Sequence, residues 1–158
     1  MEIEEFENLR PDEIEAMINA PIYVAILIAG ADGKIDKSER KEAIDVARSK
    51  QSRAREQLVT YYKAVGESFE AKFNKFVDEL PEDVKDRTSD IEQELRKLNH
   101  ILPKIDRVFA IKFYASIKDL AKKIAEASGG IFGYLSVSYE EQTLMDLKMI
   151  NDPEKIGA

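Results

Sequence analysis

Residues Ile22 to Ala29 are apolar without a break, and Tyr23, Val24, Ile26, Leu27 and Ile28 spread over nearly every side of a helix. A helix with one apolar stripe lies on a surface, whereas one apolar nearly all round is buried on most sides. The run is far shorter than the roughly 20 residues needed to cross a bilayer, so it reads as an inner helix and no membrane span is expected. It restarts the chain at Asn19-Ala20-Pro21, after a short helix expected from about Pro11 to Asn19. Asn8 is the cap candidate for that first helix, and Pro11, Asp12 and Glu13 suit its first turn and its dipole.

The inner helix stops at Gly30-Ala31-Asp32-Gly33, and a second opens under Asp36 with Glu39 three residues on. That is the spacing of a capping box, in which each side chain takes up a backbone N–H at a helix start. The stretch has a sharper reading too. Asp32, Gly33, Ile35, Asp36 and Glu39 fall where a calcium-binding EF-hand loop has its fifth, sixth, eighth, ninth and twelfth positions. Its first and third positions would be Ile28 and Gly30, which bring no carboxylate. A site made of Asp32, Asp36 and Glu39 would therefore hold Ca²⁺ or Mg²⁺ weakly, and the cap is the default reading.

From Asp36 the stripe continues in gaps of three and four through Ile44, Ala47, then past the polar Gln51 to Ala54, Leu58, Tyr62, Val65, Phe69, Phe73, Phe76 and Leu80. This predicts one long helix despite the cost of about 1 kcal/mol at Gly66. Pro81 interrupts, and Val84, Thr88, Ile91, Leu95, Leu98, Leu102, Ile105 and Phe109 then form a heptad stripe. The two stripes predict an antiparallel hairpin at about 50–105, its helices roughly 25 to 30 residues and about 40 Å long. Pro103 should kink or split the second stripe near Leu102. A further helix, carrying Phe113, Ile117 and Leu120, is expected to end by Gly129, and a last one to run to about Ile150. Ile124–Gly129 repeats Ile28–Gly33 at an offset of 96, and Val137–Glu141 repeats Ile35–Glu39 at an offset of 102. The expected fold is therefore all-α, a single domain over 1–158, with two helix-loop-helix repeats joined by the hairpin.

Composition narrows the function classes. The chain of 158 residues has a net charge of −7, which disfavours nucleic acid as a partner. Arg48, Lys50, Arg53 and Arg55 form a local basic stripe, read as a solvated helix face. With no cysteine there is no disulfide, thiolate metal site or cysteine nucleophile, which fits a reducing compartment. The acidic start Met1-Glu2-Ile3-Glu4-Glu5 is unlike a signal peptide, and a cytoplasmic location is expected. His100 is the single histidine and lies about 180° from the Ile91-Leu95-Leu98 stripe at 100° per residue, an exposed position. Gly129, Gly130 and Gly133 lack the lysine of a phosphate-binding loop, and the Phe69-Phe73-Phe76 ladder reads as core. No nucleophile or general-base constellation is present, so an enzyme is not expected.

The segment Ala29-Gly30-Ala31-Asp32-Gly33-Lys34-Ile35-Asp36-Lys37-Ser38-Glu39-Arg40 resembles the signature of the TerB-like tellurite-resistance family, as does the internal repeat. The match spans roughly residues 14 to 47 and, more thinly, 117 to 149. In the second copy Ser128 and Gly129 stand where the family pattern has Asp-Gly. The resemblance implies an all-helical, non-enzymatic bacterial protein of a stress-response complex, working beside a membrane-protein partner, with an acidic surface that binds divalent metal. The alternative is a helical module whose coiled-coil hairpin docks a protein partner or a second copy of the chain.

Overall fold

A computed structural model describes residues 3–31, 33, 35–52, 56–131 and 144–155; these are helices, turns and loops, with no strand among them. The helices are α1 (Pro11–Ala29), α2 (Lys37–Ser52), α3 (Val59–Glu79), α4 (Val84–Arg96), the single turn α5 (Leu98–Ile101) and α6 (Arg107–Ile131). All five others pack against α1. From Met17 to Ala29 every residue but Tyr23 is buried, as the all-round apolar run requires. Tyr23 is half-buried and stacks on Phe76 of α3, ring centroids 4.9 Å apart. No described helix is long and apolar enough to cross a membrane.

The expected break at Asn19-Ala20-Pro21 does not occur, and α1 runs straight through Pro21. A proline inside a helix lacks the N–H that would bond the carbonyl four residues back, here Met17. A neighbour supplies the missing donor. The Tyr61 hydroxyl of α3 donates to Met17 O at 2.6 Å, and Tyr61 is fully buried. The start of α1 also differs from expectation, since Arg10 rather than Asn8 stands at the cap position. The Arg10 N–H donates to Glu13 Oε1 at 3.0 Å, and Lys104 Nζ donates to Glu13 Oε2 at 2.7 Å.

Glu13 is 5% exposed, and the Lys104 hydrogen bond, followed by the Arg10 backbone N–H, holds its carboxyl below the usual carboxylate range. A carboxylate depressed in the folded state stabilises fully above its unfolded pKa and loses that contribution as pH falls through the folded value. Glu13→Gln should therefore be less stable than wild type at neutral pH, with the gap closing under acid. Urea melts of both proteins across pH 7 to 3 measure it. A gap independent of pH would mean that Glu13 acts through packing alone.

The single helix expected from Asp36 to Leu80 is two helices, α2 and α3, packed on each other, with a 3-10 turn at Glu56–Leu58 between them. Unbroken, those 45 residues would extend about 67 Å, beyond what a compact chain of this size, with a radius of gyration of about 15 Å, can cover. Folding back lets Ile44 of α2 and Phe69 and Phe73 of α3 share one core. On either side of the Leu80-Pro81 turn, α3 and α4 are 21 and 13 residues long rather than 25 to 30. Both lay their stripes on α1, so the two seams expected to meet each other meet a third helix instead. Phe69, Phe73, Ile91, Leu95 and Leu98 are all buried there.

The stripe splits near Pro103 as expected, through a 3-10 turn at Leu102–Lys104, and α6 restarts with the Phe109 N–H on Asp106 Oδ2 at 2.9 Å. Helix α6 does not stop at Gly129 but continues to Ile131. The second copy of the capped-helix motif, at 137–141, lies outside the described residues. Leu144 and Met145 are helical, but from Asp146 the chain passes through turns, so no helix reaches Ile150. Asn99 holds it, donating from Nδ2 to Met149 O at 3.0 Å and accepting the Asn151 N–H at 2.8 Å.

Candidate functional site

Where α1 ends, Gly30 closes the helix with its N–H on Ile26 O at 2.9 Å. The last carbonyls of a helix lack intrahelical donors and carry the negative end of its dipole. Arg87 of α4 sits at that end, on carbonyls of the cap residue and the loop beyond it. Its Nη2 donates to Gly30 O at 2.6 Å and also to Gly33 O, while Nη1 donates to Glu82 O at 3.3 Å. The side chain is 6% exposed. Burial pulls the Arg87 pKa down and nearby Asp83 pulls it up, but an arginine stays protonated in either case.

The two glycines serve different ends. A Cβ on Gly30 would lie 2.6 Å from Arg87 Nη2 and 3.0 Å from Ile35 Cδ1, so the absent side chain makes room for the guanidinium. Gly33 has open space around it but a φ of +145°, a backbone conformation that suits glycine alone. Beyond it Ile35 is buried and anchors the loop.

Of the three carboxylates expected to form a metal site, Asp36 and Glu39 are described and Asp32 lies outside the described residues. Asp36 Oδ1 accepts the Glu39 N–H at 2.8 Å, and the Asp36 carbonyl accepts the Arg40 N–H at 3.0 Å, so Asp36 caps α2. Asp36 is exposed and Glu39 half-buried. Arg40 then ties this end of α2 to α3 through Asp78 Oδ1 at 3.0 Å. No group of three or more metal-ligating side chains occurs among the described residues. In an EF-hand-like loop, backbone oxygen faces the ion; here the oxygens of Gly30 and Gly33 face a guanidinium.

Other candidates fall elsewhere. His100 is exposed on α5, as its place opposite the stripe implies. Of the basic stripe, Arg48 is exposed as expected and pairs with Glu70 of α3 at 2.5 Å, while Lys50 is half-buried against Asp119 of α6 at 2.7 Å. Arg53, Arg55 and Gly133 lie outside the described residues. The residue that sequence reasoning missed is Arg87. It stands three after Val84 and four before Ile91, on the inward face, where the heptad reading gave the place to Thr88. A charge at helical spacing among buried positions was the available signal. In comparisons with known proteins, the chain matches no family model, no curated protein and no solved structure.

Proposed function

We propose that the chain is a non-enzymatic accessory protein of the TerB-like kind, serving a bacterial stress or tellurite-resistance type of system by presenting the acidic turn at Asp32, Asp36 and Glu39 to a protein partner. One observation supports this reading above the rest: Arg87 holds the turn from beneath while the Asp36 carboxylate faces solvent. A turn fixed before the encounter loses less entropy on binding than a mobile one. A guanidinium already seated on the loop carbonyls repels a second cation, so Ca²⁺ or Mg²⁺ binds only weakly. Docking through the seams of α3 and α4 has less support, because α1 covers both.

Calorimetry and affinity capture test it together. Asp36→Ala should lose about 1 kcal/mol of stability with or without metal, as the loss of an N-cap does. Calcium titration of the wild type should give millimolar affinity at best, the range of loops with few carboxylates. If calcium binds at micromolar affinity and Asp32→Ala abolishes it, the turn is a metal site first. A partner captured from source cells should be lost when Asp32 and Asp36 are both changed to lysine. Equal capture by both proteins would remove the turn from the interface.

A further inference from the structure

A cleft opens between α2, α3 and α6, away from the acidic turn, with about 460 Å³ of empty space counting the solvent at its mouth. Its walls are Ile44, Val65, Phe69 and Leu120, the ring of Pro21 lies against it from α1, and Gly66 leaves a gap in the α3 wall. Glycine in mid-helix is unfavourable by about 1 kcal/mol relative to alanine, yet α3 carries it where the cleft is formed. Tyr62 also lines the space, but its hydroxyl is already bonded to Ser116 Oγ at 2.6 Å. The interior thus asks for an apolar group.

The mouth asks for a different one. Arg48 and Lys50 line it beside Glu70. Arg48 Nη2 contacts Glu70 Oε2 at 2.5 Å, and Lys50 Nζ contacts Asp119 Oδ2 at 2.7 Å. Lys123 approaches that same Asp119 oxygen at 3.1 Å. The three cations Arg48, Lys50 and Lys123 therefore face the two anions Glu70 and Asp119, a local positive surplus in a chain of net charge −7. The Arg48–Glu70 pair is more than half exposed on both sides, and exposed pairs contribute little, so an incoming anion can take Glu70's place on the guanidinium.

We propose that this cleft binds a small aliphatic carboxylic acid, its chain against Pro21, Val65, Phe69 and Leu120 and its carboxylate on Arg48. An apolar pocket with a few converging polar groups is the usual form of a small-molecule site, and an arginine fork matches a carboxylate in shape as well as charge.

Octanoate is the probe, followed by calorimetry and by amide shifts in ¹⁵N spectra, with octanol and octylamine as comparisons. Saturable octanoate binding that shifts the Gly66 amide is expected, with octanol weaker and octylamine weaker still. Arg48→Gln, on an exposed side chain, should weaken octanoate about tenfold, the effect of losing a charge-assisted bond, and leave octanol unchanged. Gly66→Leu, which adds four carbons at the wall, should abolish both. If the wild type shows no saturable binding, or binds octanol as well as octanoate, or if Arg48→Gln has no effect, the proposal fails. Because the Arg48 side chain is 61% exposed, Arg48→Gln should fold as the wild type does, and a misfolded Gly66→Leu would not hide that result.

Discussion

Replacing Arg87 by alanine should destabilise the protein by about 2 kcal/mol, because Gly33 O loses its donor and Gly30 O keeps only the Gly33 N–H, at a site where an unmet polar group costs roughly 1 to 3 kcal/mol. Arg87→Lys should recover only part of this, since an ammonium is a point charge and lacks the second nitrogen with which the planar guanidinium also reaches Glu82 O. Gly30→Ala gives an independent test. Its Cβ would displace the guanidinium, so it should be severe in the wild type and milder once Arg87 is already alanine. Urea unfolding of the two single variants and the double variant measures the coupling. An Arg87→Ala protein within about 0.5 kcal/mol of wild type, the range of an ordinary surface change, would mean that the guanidinium does not hold the turn.

Tyr61→Phe should lose about 2 kcal/mol, the penalty for stranding a buried carbonyl, although only one oxygen atom is removed. The proline gives the mechanism away. Met17 O depends on Tyr61 because residue 21 has no N–H to offer. Pro21→Ala restores that N–H, and in its presence Tyr61→Phe should cost much less. The double-mutant cycle isolates the exchange of donors. Equal losses in both backgrounds would show that the Tyr61 hydroxyl matters for some other reason, such as packing against Phe109 and Phe113.

Several features were legible in the residues because they are local. The all-round apolar run marked the buried helix, Asp36 marked a cap, and Pro81 and Pro103 marked boundaries. What escaped depends on contacts between distant segments. The turn between α2 and α3 contains no glycine or proline, and its apolar spacing continues across the break, so periodicity alone favours one helix. Only the need to cover α1 from several sides bends the chain there. Conversely, Pro21 looked like a boundary because its missing donor is local, while its replacement, Tyr61, lies 40 residues away in the chain. The same limit applies to the candidate site. The cap at Asp36 could be read directly, but the cation beneath the turn comes from a helix residue 57 positions after Gly30, at a place where an arginine reads as surface.

The central place of α1 has a consequence for the chain as it is made. The most apolar helix leaves the ribosome before its cover does, and α6, one of the helices that shelter it, begins 78 residues after α1 ends. At about 5 to 20 residues per second, that leaves the run from Ile22 to Ala29 without its full cover for roughly 4 to 16 seconds. During that interval the nascent chain displays the kind of surface that general chaperones recognise, and the emergence of α6 closes the window.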